Sequence, residues 1–428
     1  MEAADVPLRP HLQPIRDRST ALAWANQGQR PCHLARLSLS SLLRARARPC
    51  AAAHASQLPP MKTLAHLTLL SLPLVGCASA PRAHVVEPRV VDPTRGLERV
   101  DNLILPGETH FAGLWKVTSG IENAAEGYWS FDGSRLVMQV TGQAGQCDRI
   151  WTTDGRGGLT PVSNGRGVTT CAYFMPGDAS VVYASTHAWH RDCPPPPDKS
   201  QGYVWALYPE YDIYAHDLKT GREVNLTTQW GYDAEATVSP LGDRMVYTST
   251  RSGDLELWTC DLDGSNAVQV TDEIGYDGGA FFSHDGKKLV FRSTSFTPEK
   301  REQEIADYKR LLGQWLVRPS RMEIMVCDVD GANRRQVTNL GRANFAPYYF
   351  PNDQRIVFAT NHADPDRRGR NFDLYAIDVD GQNLERITQH EEFDGFPMFS
   401  PDGKYFVFAS NRGATRPGET NLYIAQWK

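Results

Sequence analysis

The stretch that decides the fold lies near the end of the chain and reads Phe399-Ser400-Pro401-Asp402-Gly403-Lys404-Tyr405-Phe406-Val407-Phe408-Ala409-Ser410. An aromatic residue precedes a turn of Ser, Pro, Asp and Gly, and a run of strand-forming residues follows it. Pro, Asp and Gly favour tight turns, whereas aromatic and β-branched residues favour strands. The stretch therefore predicts two short strands joined by a tight turn.

The same pattern occurs six times, with 44 to 67 residues between successive copies. The residues at the position of Ser400 are Ser130, Met175, Ser239, Ser283, Phe350 and Ser400. A second turn follows within the unit, as in Asp261-Leu262-Asp263-Gly264, which leads to Val270-Thr271. Asp-Gly between apolar runs is a strong hairpin signal. About 45 residues with four strands correspond to one propeller blade, so the pattern predicts an all-β, six-bladed β-propeller over residues 107–428.

These units resemble the WD-type repeats of the TolB family, whose members are six-bladed β-propellers of the periplasm. The resemblance covers roughly residues 107–428. It implies a propeller that binds a protein or peptide in its channel. TolB proteins carry a further globular domain before the propeller, and residues 78–106 are too short for one.

Closure of the ring is predicted from the two ends of the repeat region. The last unit stops at its third strand, Asn421-Leu422-Tyr423-Ile424-Ala425. The segment Leu114-Trp115-Lys116-Val117-Thr118 resembles the outer strand that ends at Thr271. We therefore expect residues 114–118 to complete the sixth blade, which removes a free sheet edge.

The N-terminal 106 residues are predicted to be a targeting segment and a linker rather than a folded domain. Met61 starts a signal sequence whose apolar core, residues 64–75, is too short to cross a bilayer. It ends in Leu74-Val75-Gly76-Cys77, which resembles a bacterial lipobox. The sequence predicts an upstream extension (1–60), a lipoprotein signal (61–77) with lipidation at Cys77, and a tether (78–106). An ordinary signal peptide cleaved near Ala80 is the alternative. Ala78 follows Cys77 at the position where an Asp would be expected for retention in the inner membrane, so we predict the periplasmic side of the outer membrane.

The net charge of the chain indicates which class of binding partner to expect. From Cys77 onward the chain has 36 Lys and Arg against 47 Asp and Glu. A net negative charge favours solubility and cationic partners and argues against nucleic acid. The chain is expected to be a monomer that meets the membrane only through its lipid, with an envelope protein or peptide as its partner.

All the long loops are predicted on one face, which we call the elaborated face: 141–147, 186–210, 294–321, 361–371 and 411–420. Elaborated loops on a rigid scaffold usually carry function. The third insertion predicts a helix with Thr297 as its cap, Pro298 in its first turn and an apolar stripe that includes Tyr308 and Leu311. The stripe either docks on the propeller or makes the helix a movable lid.

The second insertion contains His187, His190 and Cys193. Their spacing makes the two histidines weak metal candidates, because no fourth ligand is evident. Cys147, Cys171 and Cys193 are all expected on the elaborated face, and an exported protein meets oxidising conditions. We predict a Cys171–Cys193 disulfide, and Cys260 and Cys327 as small buried residues.

A set of polar residues is expected at the inner mouth of the channel on the elaborated face. Those chosen as ligand-binding residues are Glu126, Tyr232, Asp233, Glu235, Tyr276, Asp277, Asn344 and Asp394. Two interpretations remain open. The acids and amides satisfy backbone donors in the links between blades, or they form an acidic funnel for a cation or a basic segment, with the aromatic rings stacking on the ligand.

No catalytic motif stands out. The sequence has no Gly-x-Ser-x-Gly elbow, no Walker loop and no His-Glu-x-x-His. The favoured function is a lipid-anchored propeller of the cell envelope that binds a protein, peptide or small ligand at the elaborated face and central channel. The alternative is a metal-assisted hydrolase or lyase acting on peptide or saccharide. No catalytic residue and no cofactor is predicted, with calcium as the one metal considered possible.

Overall fold

The six sequence repeats form the six sheets of a β-propeller, as predicted. The structure, a computed structural model, describes residues 92–143, 146–198, 200, 202–363 and 370–428. Within each blade the strands are antiparallel, and the inner strands of successive blades contact one another around the ring. The predicted extension, signal sequence and lipidated Cys77 lie outside the described residues.

The strands follow chain order from one blade to the next. The chain first forms β1 (Glu98–Arg99), a 3-10 helix (Asp101–Leu103) and β2 (Phe111–Lys116). Blade 1 consists of β3 (Asn123–Trp129), β4 (Leu136–Thr141), β5 (Arg149–Thr153) and β6 (Leu159–Pro161). Blade 2 and its insertion contain β7 (Thr169–Phe174), β8 (Ser180–Ser185), β9 (Trp205–Ala206), β10 (Asp212–Asp217) and β11 (Glu223–Asn225).

The second half of the ring repeats this arrangement. Blade 3 consists of β12 (Asp233–Val238), β13 (Met245–Ser249), β14 (Glu256–Cys260) and β15 (Val268–Gln269). Blade 4 and its insertion contain β16 (Asp277–Phe282), β17 (Lys288–Thr294), a 3-10 helix (Pro298–Lys300), α1 (Arg301–Leu312), β18 (Leu316–Val317), β19 (Met322–Asp328) and β20 (Arg335–Gln336). Blades 5 and 6 add β21 (Asn344–Tyr349), β22 (Arg355–Thr360), β23 (Asp373–Asp378), β24 (Glu385–Arg386), β25 (Asp394–Phe399), β26 (Tyr405–Ser410) and β27 (Asn421–Trp427).

The turn that identified the repeat acts through its first residue and its glycine. Gly403 adopts a φ of 70°, which an L-residue rarely tolerates, and its N–H donates to the carbonyl of Ser400 at 2.8 Å. The Ser400 hydroxyl accepts the N–H of Tyr405 at 2.9 Å. The turn thereby sets the register with which β26 returns along β25.

The ring closes as predicted, with an N-terminal strand in the last blade. β2 pairs with β27 over Phe111–Lys116, and β1 adds a fifth strand outside it. A buried ion pair cluster holds this junction, since the Arg412 guanidinium bonds to Glu108 at 2.9 Å and to Asp394 at 2.9 Å. The segment predicted as a tether therefore joins the sheet from Glu98 onward, because β1 and the buried Val100 pack against the ring.

The insertions of blades 2 and 4 meet above the ring and form a roof. We define this roof as residues 186–210 and 294–321. β9 pairs with β18 in a two-stranded sheet, and Tyr308 of α1 donates a hydrogen bond to Asp254 of blade 3. Tyr308 and Leu311 are buried, so the apolar stripe of the helix docks as expected. The Thr297 side chain makes no capping hydrogen bond. Instead, the backbone N–H of Thr297 donates to the Glu304 carboxylate at 2.6 Å.

The disulfide differs from the predicted one. Cys193 of the roof is bonded to Cys147 in the β4–β5 loop of blade 1, while Cys171 is free. The reason is that Cys171 lies on the inner strand β7, where its thiol is held beside the Thr170 hydroxyl at 3.0 Å. Cys260 and Cys327 are buried, as expected. In the described ranges, no helix is both long and apolar enough to cross a membrane.

Candidate functional site

A cavity of about 1350 Å³ lies at the centre of the ring, on the elaborated face and beneath the roof. Residues of all six blades or their links line it, together with residues of the roof. Twelve of the lining side chains are aromatic: Tyr128, Tyr203, Trp205, Tyr208, Tyr211, Tyr232, Tyr276, Phe281, Phe345, Phe372, Phe393 and Phe396. We call this space the central cavity. Its position matches the predicted channel.

One backbone irregularity, repeated in every blade, decides which side chains face the central cavity. Each inner strand has a register shift after its second or third residue, so it carries a β-bulge. At the bulge stands a residue with a φ between 49° and 61°. These residues are Glu126, Cys171, Glu235, Gly279, Ala346 and Phe396, and all six line the cavity. Bulges re-aim side chains, and strained backbone of this kind clusters at functional sites.

Glu235 and Arg292 form a buried ion pair at the side of the cavity nearest blades 3 and 4. Glu235 also accepts hydrogen bonds from Tyr276 at 2.7 Å, from Thr248 at 2.7 Å and from the N–H of Gly279 at 2.9 Å. Burial alone would raise the pKa of Glu235, but Arg292 and these donors lower it. The pair is therefore charged and internally neutralised.

Gly279 leaves the space that Arg292 occupies. A Cβ at this position would lie 1.8 Å from the Nη1 of Arg292. The guanidinium is placed between two rings, 5.4 Å from the centroid of Trp205 in the roof and 4.7 Å from that of Tyr276. A cation between aromatic faces is stabilised by their quadrupoles. The roof and the ring are thus joined through one arginine.

Glu126 occupies the same bulge position two blades earlier but forms no ion pair with a lysine or arginine that the structure describes. Burial raises its pKa to about 7 and outweighs the hydrogen bond with the Cys171 thiol and the charge of Arg292, which lower it; the Glu235 and Asp148 carboxyls add smaller raising effects. A chain of polar groups continues from Cys171 along this side. Thr170 donates to Gln139 at 2.8 Å, and Gln139 donates to Asp148 at 2.7 Å.

Burial also raises the pKa of Asp148, against the effect of its bonds to Thr141 and Gln139. The neighbouring Arg149 gives its side-chain donors to the carbonyls of Asp148, Gly165 and Gly167 rather than to a carboxylate. Asp148 is therefore a second half-buried carboxyl of blade 1 without an ion pair to a lysine or arginine in the described ranges.

The side of the cavity formed by blades 5 and 6 is apolar. Four phenylalanines, Phe345, Phe372, Phe393 and Phe396, line it and contact one another edge to face or tilted, with centroids 5.1 to 6.2 Å apart. We call them the phenylalanine side. Edge-to-face contacts fix the rings relative to one another. The cavity thus has a polar side on blades 1 to 4 and an apolar side opposite.

The structure separates the eight predicted binding residues into two groups. Glu126, Tyr232, Glu235 and Tyr276 line the central cavity. The other four, Asp233, Asp277, Asn344 and Asp394, do not line the cavity and are at most 2 % exposed. Their predicted placement at the channel mouth is therefore corrected. The bulge is the physical reason, because it turns the residue at position three of the inner strand toward the cavity and leaves the first residue between two blades.

In those seams the four residues bind groups of the protein itself. Asp233 pairs with Arg251 at 3.2 Å, Asp277 with Arg334, and Asp394 with Arg412 at 2.9 Å. Asn344 donates to Glu323 at 3.0 Å. The interpretation of these residues as local partners in the links between blades is closer to the structure than the acidic funnel.

The two histidines considered for metal binding lie outside the cavity. The His187 ring bonds to Ser185 at 2.8 Å and lies 3.6 Å from Glu223, whereas His190 lies 3.7 Å from Glu210. Cys193, the third member of the motif, is in the disulfide. Among residues that the structure describes, no group of three or more His, Cys, Asp or Glu is arranged to hold a metal ion.

Sequence reasoning missed Arg292, Asp148, Gly279 and Cys171 as cavity residues. Arg292 is central to the site, and it stands two residues before the predicted insertion within an otherwise apolar strand, Leu289-Val290-Phe291-Arg292. A charged residue in a buried strand needs a partner. That signal was available in the sequence, whereas the bulges were not.

Comparison with known proteins supports the resemblance predicted from the repeats. Residues 315–427 match the model of the TolB beta propeller domain. No curated protein matches the sequence. Among solved structures, a putative TolB from Agrobacterium tumefaciens is 18% identical, with a TM-score of 0.47 over 71% of this chain and 90% of that one.

Two further solved structures are similar to this chain. TolB from Acinetobacter baumannii is 19% identical, with a TM-score of 0.44 over 71% of this chain and 64% of that one. An oligogalacturonate lyase in complex with manganese is 15% identical, with a TM-score of 0.46 over 78% of this chain and 96% of that one.

Proposed function

Because the chain carries a TolB-like six-bladed β-propeller, we propose that it is a binding protein whose ligand is a small molecule or a peptide segment held in the central cavity. The observation that carries this proposal is a roofed cavity of about 1350 Å³ lined by twelve aromatic side chains. Ligand sites are mostly apolar clefts with a few fixed polar groups. The phenylalanine side offers the apolar surface, and Glu126, Glu235 and Arg292 are the fixed polar groups.

The size of the cavity limits the ligand. Pockets for drug-sized molecules measure roughly 300–1,000 Å³, so this space takes one such molecule or a few residues of peptide. A folded partner protein would contact only the rim and insert a segment. An envelope protein with an exposed segment remains the expected partner.

A plug at the mouth of the cavity tests the proposal. Ser320 is an exposed roof residue that lines the cavity, so Ser320→Trp is expected to fill the entrance without disturbing the core. Ser252→Trp is the matched control, since Ser252 is exposed on blade 3 outside the cavity lining. The measurement is ligand-observed NMR with a library of aromatic and aliphatic fragments. We expect fragments that compete with one another to bind the wild type and Ser252→Trp but not Ser320→Trp.

Two results would contradict the proposal. One is that no fragment binds the wild-type chain. The other is that the same fragments bind Ser320→Trp as well as they bind the wild type, which would place them elsewhere on the surface.

For location, we propose the periplasmic side of a bacterial outer membrane, with the propeller anchored by a lipid on Cys77. The lipobox-like sequence Leu74-Val75-Gly76-Cys77 supports this, and a disulfide between Cys147 and Cys193 is compatible with export to an oxidising compartment.

Cys77→Ala should move the protein from the membrane fraction to the soluble periplasm and abolish fatty-acid labelling. Unchanged membrane recovery of Cys77→Ala would contradict the anchor.

The metal-assisted hydrolase or lyase considered from the sequence gains no supporting observation. Its two histidines, His187 and His190, are paired with separate carboxylates and do not line the cavity.

A further inference from the structure

The polar side of the central cavity contains hydrogen-bonding groups that the protein itself leaves unused. Tyr128, Tyr211 and Tyr232 line the cavity, and each is at most 6 % exposed. Within the described part of the chain, none of their hydroxyls has a hydrogen-bond partner, and none is sealed from the cavity. The three hydroxyls are therefore available to a ligand in the cavity, each as a donor and an acceptor.

The carboxyls of Glu126 and Asp148 share this region. The charge of Glu126 raises the pKa of Tyr128 and of Tyr211, after the larger effect of burial, and Asp148 acts on Tyr211 in the same way. All five groups line the central cavity, and the rings of Tyr211 and Tyr232 contact each other with centroids 5.8 Å apart. We call Glu126, Asp148, Tyr128, Tyr211 and Tyr232 the carboxyl–tyrosine corner.

Among the residues that the structure describes, no arginine or lysine forms an ion pair with Glu126 or Asp148, although the charges of Arg292 and Arg149 act on them. Arg292 is committed to Glu235, and Arg149 is committed to backbone carbonyls. The other two arginines of the lining, Arg342 and Arg370, are exposed and belong to the links around blade 5. Two partly desolvated carboxyls without a cation are unfavourable unless they are protonated or a cation arrives with the ligand.

Building on the proposed function, we propose that the ligand carries a primary ammonium group that binds in the carboxyl–tyrosine corner, with an apolar body that lies on the phenylalanine side. An ammonium has three N–H donors and no acceptor. The Glu126 and Asp148 carboxylates and the tyrosine oxygens are acceptors for them. The tyrosine faces add cation–π attraction, and the four phenylalanine rings bury the apolar part of the ligand.

Two sources present this chemistry: a small organic amine, or the free amino terminus of a peptide that begins with an apolar residue. A lysine side chain in a folded protein is less suited, because the roof limits access to the cavity to small or thin ligands. The shared feature is an ammonium separated from an apolar group by a few bonds.

The test compares two probes that differ only in their terminal group, the ammonium of 2-phenylethylamine and the neutral hydroxyl of 2-phenylethanol, by calorimetry on the purified chain near neutral pH. The wild type should bind the amine about tenfold or more tightly, which is the size expected for a hydrogen bond to a charged group. In Glu126→Gln, and independently in Asp148→Asn, the ratio of the two affinities should fall toward about one. Glu302→Gln, on the exposed surface of α1, is the matched control and should keep the wild-type ratio.

Thermal unfolding of each variant verifies that it is folded before the affinities are compared. A second arm uses a short peptide that begins with phenylalanine, with its amino terminus free or acetylated. Tighter binding by the free peptide than by phenylethylamine identifies a peptide terminus as the source, and the reverse order identifies a small amine.

The possible failures are distinguishable. If amine and alcohol bind equally and both are blocked by Ser320→Trp, the cavity binds ligands but the ammonium inference is wrong. An amine preference that survives in both Glu126→Gln and Asp148→Asn would also overturn it. If neither probe nor any fragment binds, the inference and the proposed function fail together.

Discussion

Single residues at the bulges decide the chemistry of the cavity. Five of the six bulge positions hold a residue other than glycine at positive φ, a conformation that costs roughly 1–2 kcal/mol per residue. Packing elsewhere in the ring must offset this conformational cost. Glu126, Cys171 and Glu235 use the bulge to bring polar groups to the cavity, whereas Ala346 and Phe396 bring apolar ones. Gly279 is different, since the absence of a side chain there leaves room for the Arg292 guanidinium.

Gly279→Ala should be more destabilising than its backbone conformation alone explains. Ala346 shows that alanine is tolerated at this bulge position, so the expected cost arises from the contact with Arg292. Overpacking of this kind costs about 1–3 kcal/mol. The control is Gly165→Ala, where φ is 79° and no atom lies within 4 Å of the added Cβ. Urea unfolding measures both, and equal losses of stability in the two variants would contradict the argument.

At the scale of elements, the roof is held at three separate points. β9 pairs with β18, α1 bonds to blade 3 through Tyr308 and Asp254, and Cys193 is bonded to Cys147 of blade 1. The helix had two possible interpretations, a docked element or a movable lid. The buried Tyr308 and Leu311 favour the docked one. The roof therefore acts as a fixed cover with an entrance at its edge.

Cys193→Ser should loosen the roof while the ring remains intact. Because a disulfide contributes typically about 2–4 kcal/mol, amide hydrogen exchange in peptides from 186–198 should be on the order of 100-fold faster, with little change in the inner strands. Cys171→Ser is the matched control, since Cys171 is a free cysteine on the same face. Unchanged protection of 186–198 in Cys193→Ser would mean that the β9–β18 pairing and α1 suffice.

At the scale of the whole molecule, the seams between blades contain buried carboxyls facing one another. The Glu256 carboxyl of blade 3 lies near Asp277 of blade 4, and burial together with that neighbour raises its pKa to about 8. Asp373 and Asp394 repeat the arrangement between blades 5 and 6, where burial outweighs Arg386 and raises the pKa of Asp373 to about 7. The residues first expected to bind a ligand therefore join the blades.

Stability should fall as the pH rises from about 5 to 8. The folded state holds protons on Glu256, Asp373 and Glu126 that the unfolded chain releases near pH 4 to 5, so their contribution is complete below that range and is lost as pH passes through the raised pKa values. Since one pKa unit corresponds to 1.36 kcal/mol, each of the three carboxyls accounts for a loss of roughly 3 kcal/mol across this range, and the combined loss is larger. Unfolding curves across this range measure it.

The variant Glu256→Gln should make the decline with pH shallower, because it removes one of the three groups. Glu302→Gln should leave the slope as in the wild type, since Glu302 is exposed on α1. Stability that rises between pH 5 and 8 would contradict the assignment. His187 acts in the opposite direction, because burial lowers its pKa, and it reduces the total without reversing it.

Closure of the ring depends on the buried cluster of Glu108, Arg412 and Asp394. Arg412→Met would leave two buried carboxylates without their cation, and removal of one partner of such a cluster costs about 3–5 kcal/mol. The comparison variant is Arg310→Met, whose pairing with Asp307 is largely exposed and contributes less than about 1 kcal/mol. Chemical denaturation of both distinguishes them, and a loss in Arg412→Met no larger than in Arg310→Met would contradict a closing role for the cluster.

The sequence by itself determined the fold, the number of blades, the strand that closes the ring and the face that carries the insertions. These follow from local turn chemistry and from a pattern that recurs six times, so that each copy supports the others. Four of the eight residues chosen as ligand-binding line the cavity, because Tyr232 and Tyr276 precede inner strands and Glu126 and Glu235 lie within them; that they bind a ligand stays a prediction.

Only the tertiary structure decided which polar residues face the cavity, which cysteines pair and how the roof is held. A single bulge in each inner strand exchanges the residues that point to the centre with those that point to the neighbouring blade, and no local sequence preference reports it when the bulge residue is Glu, Cys or Phe. The Cys147–Cys193 bond likewise joins segments 46 residues apart. Both features depend on contacts between blades, which form when the ring is complete.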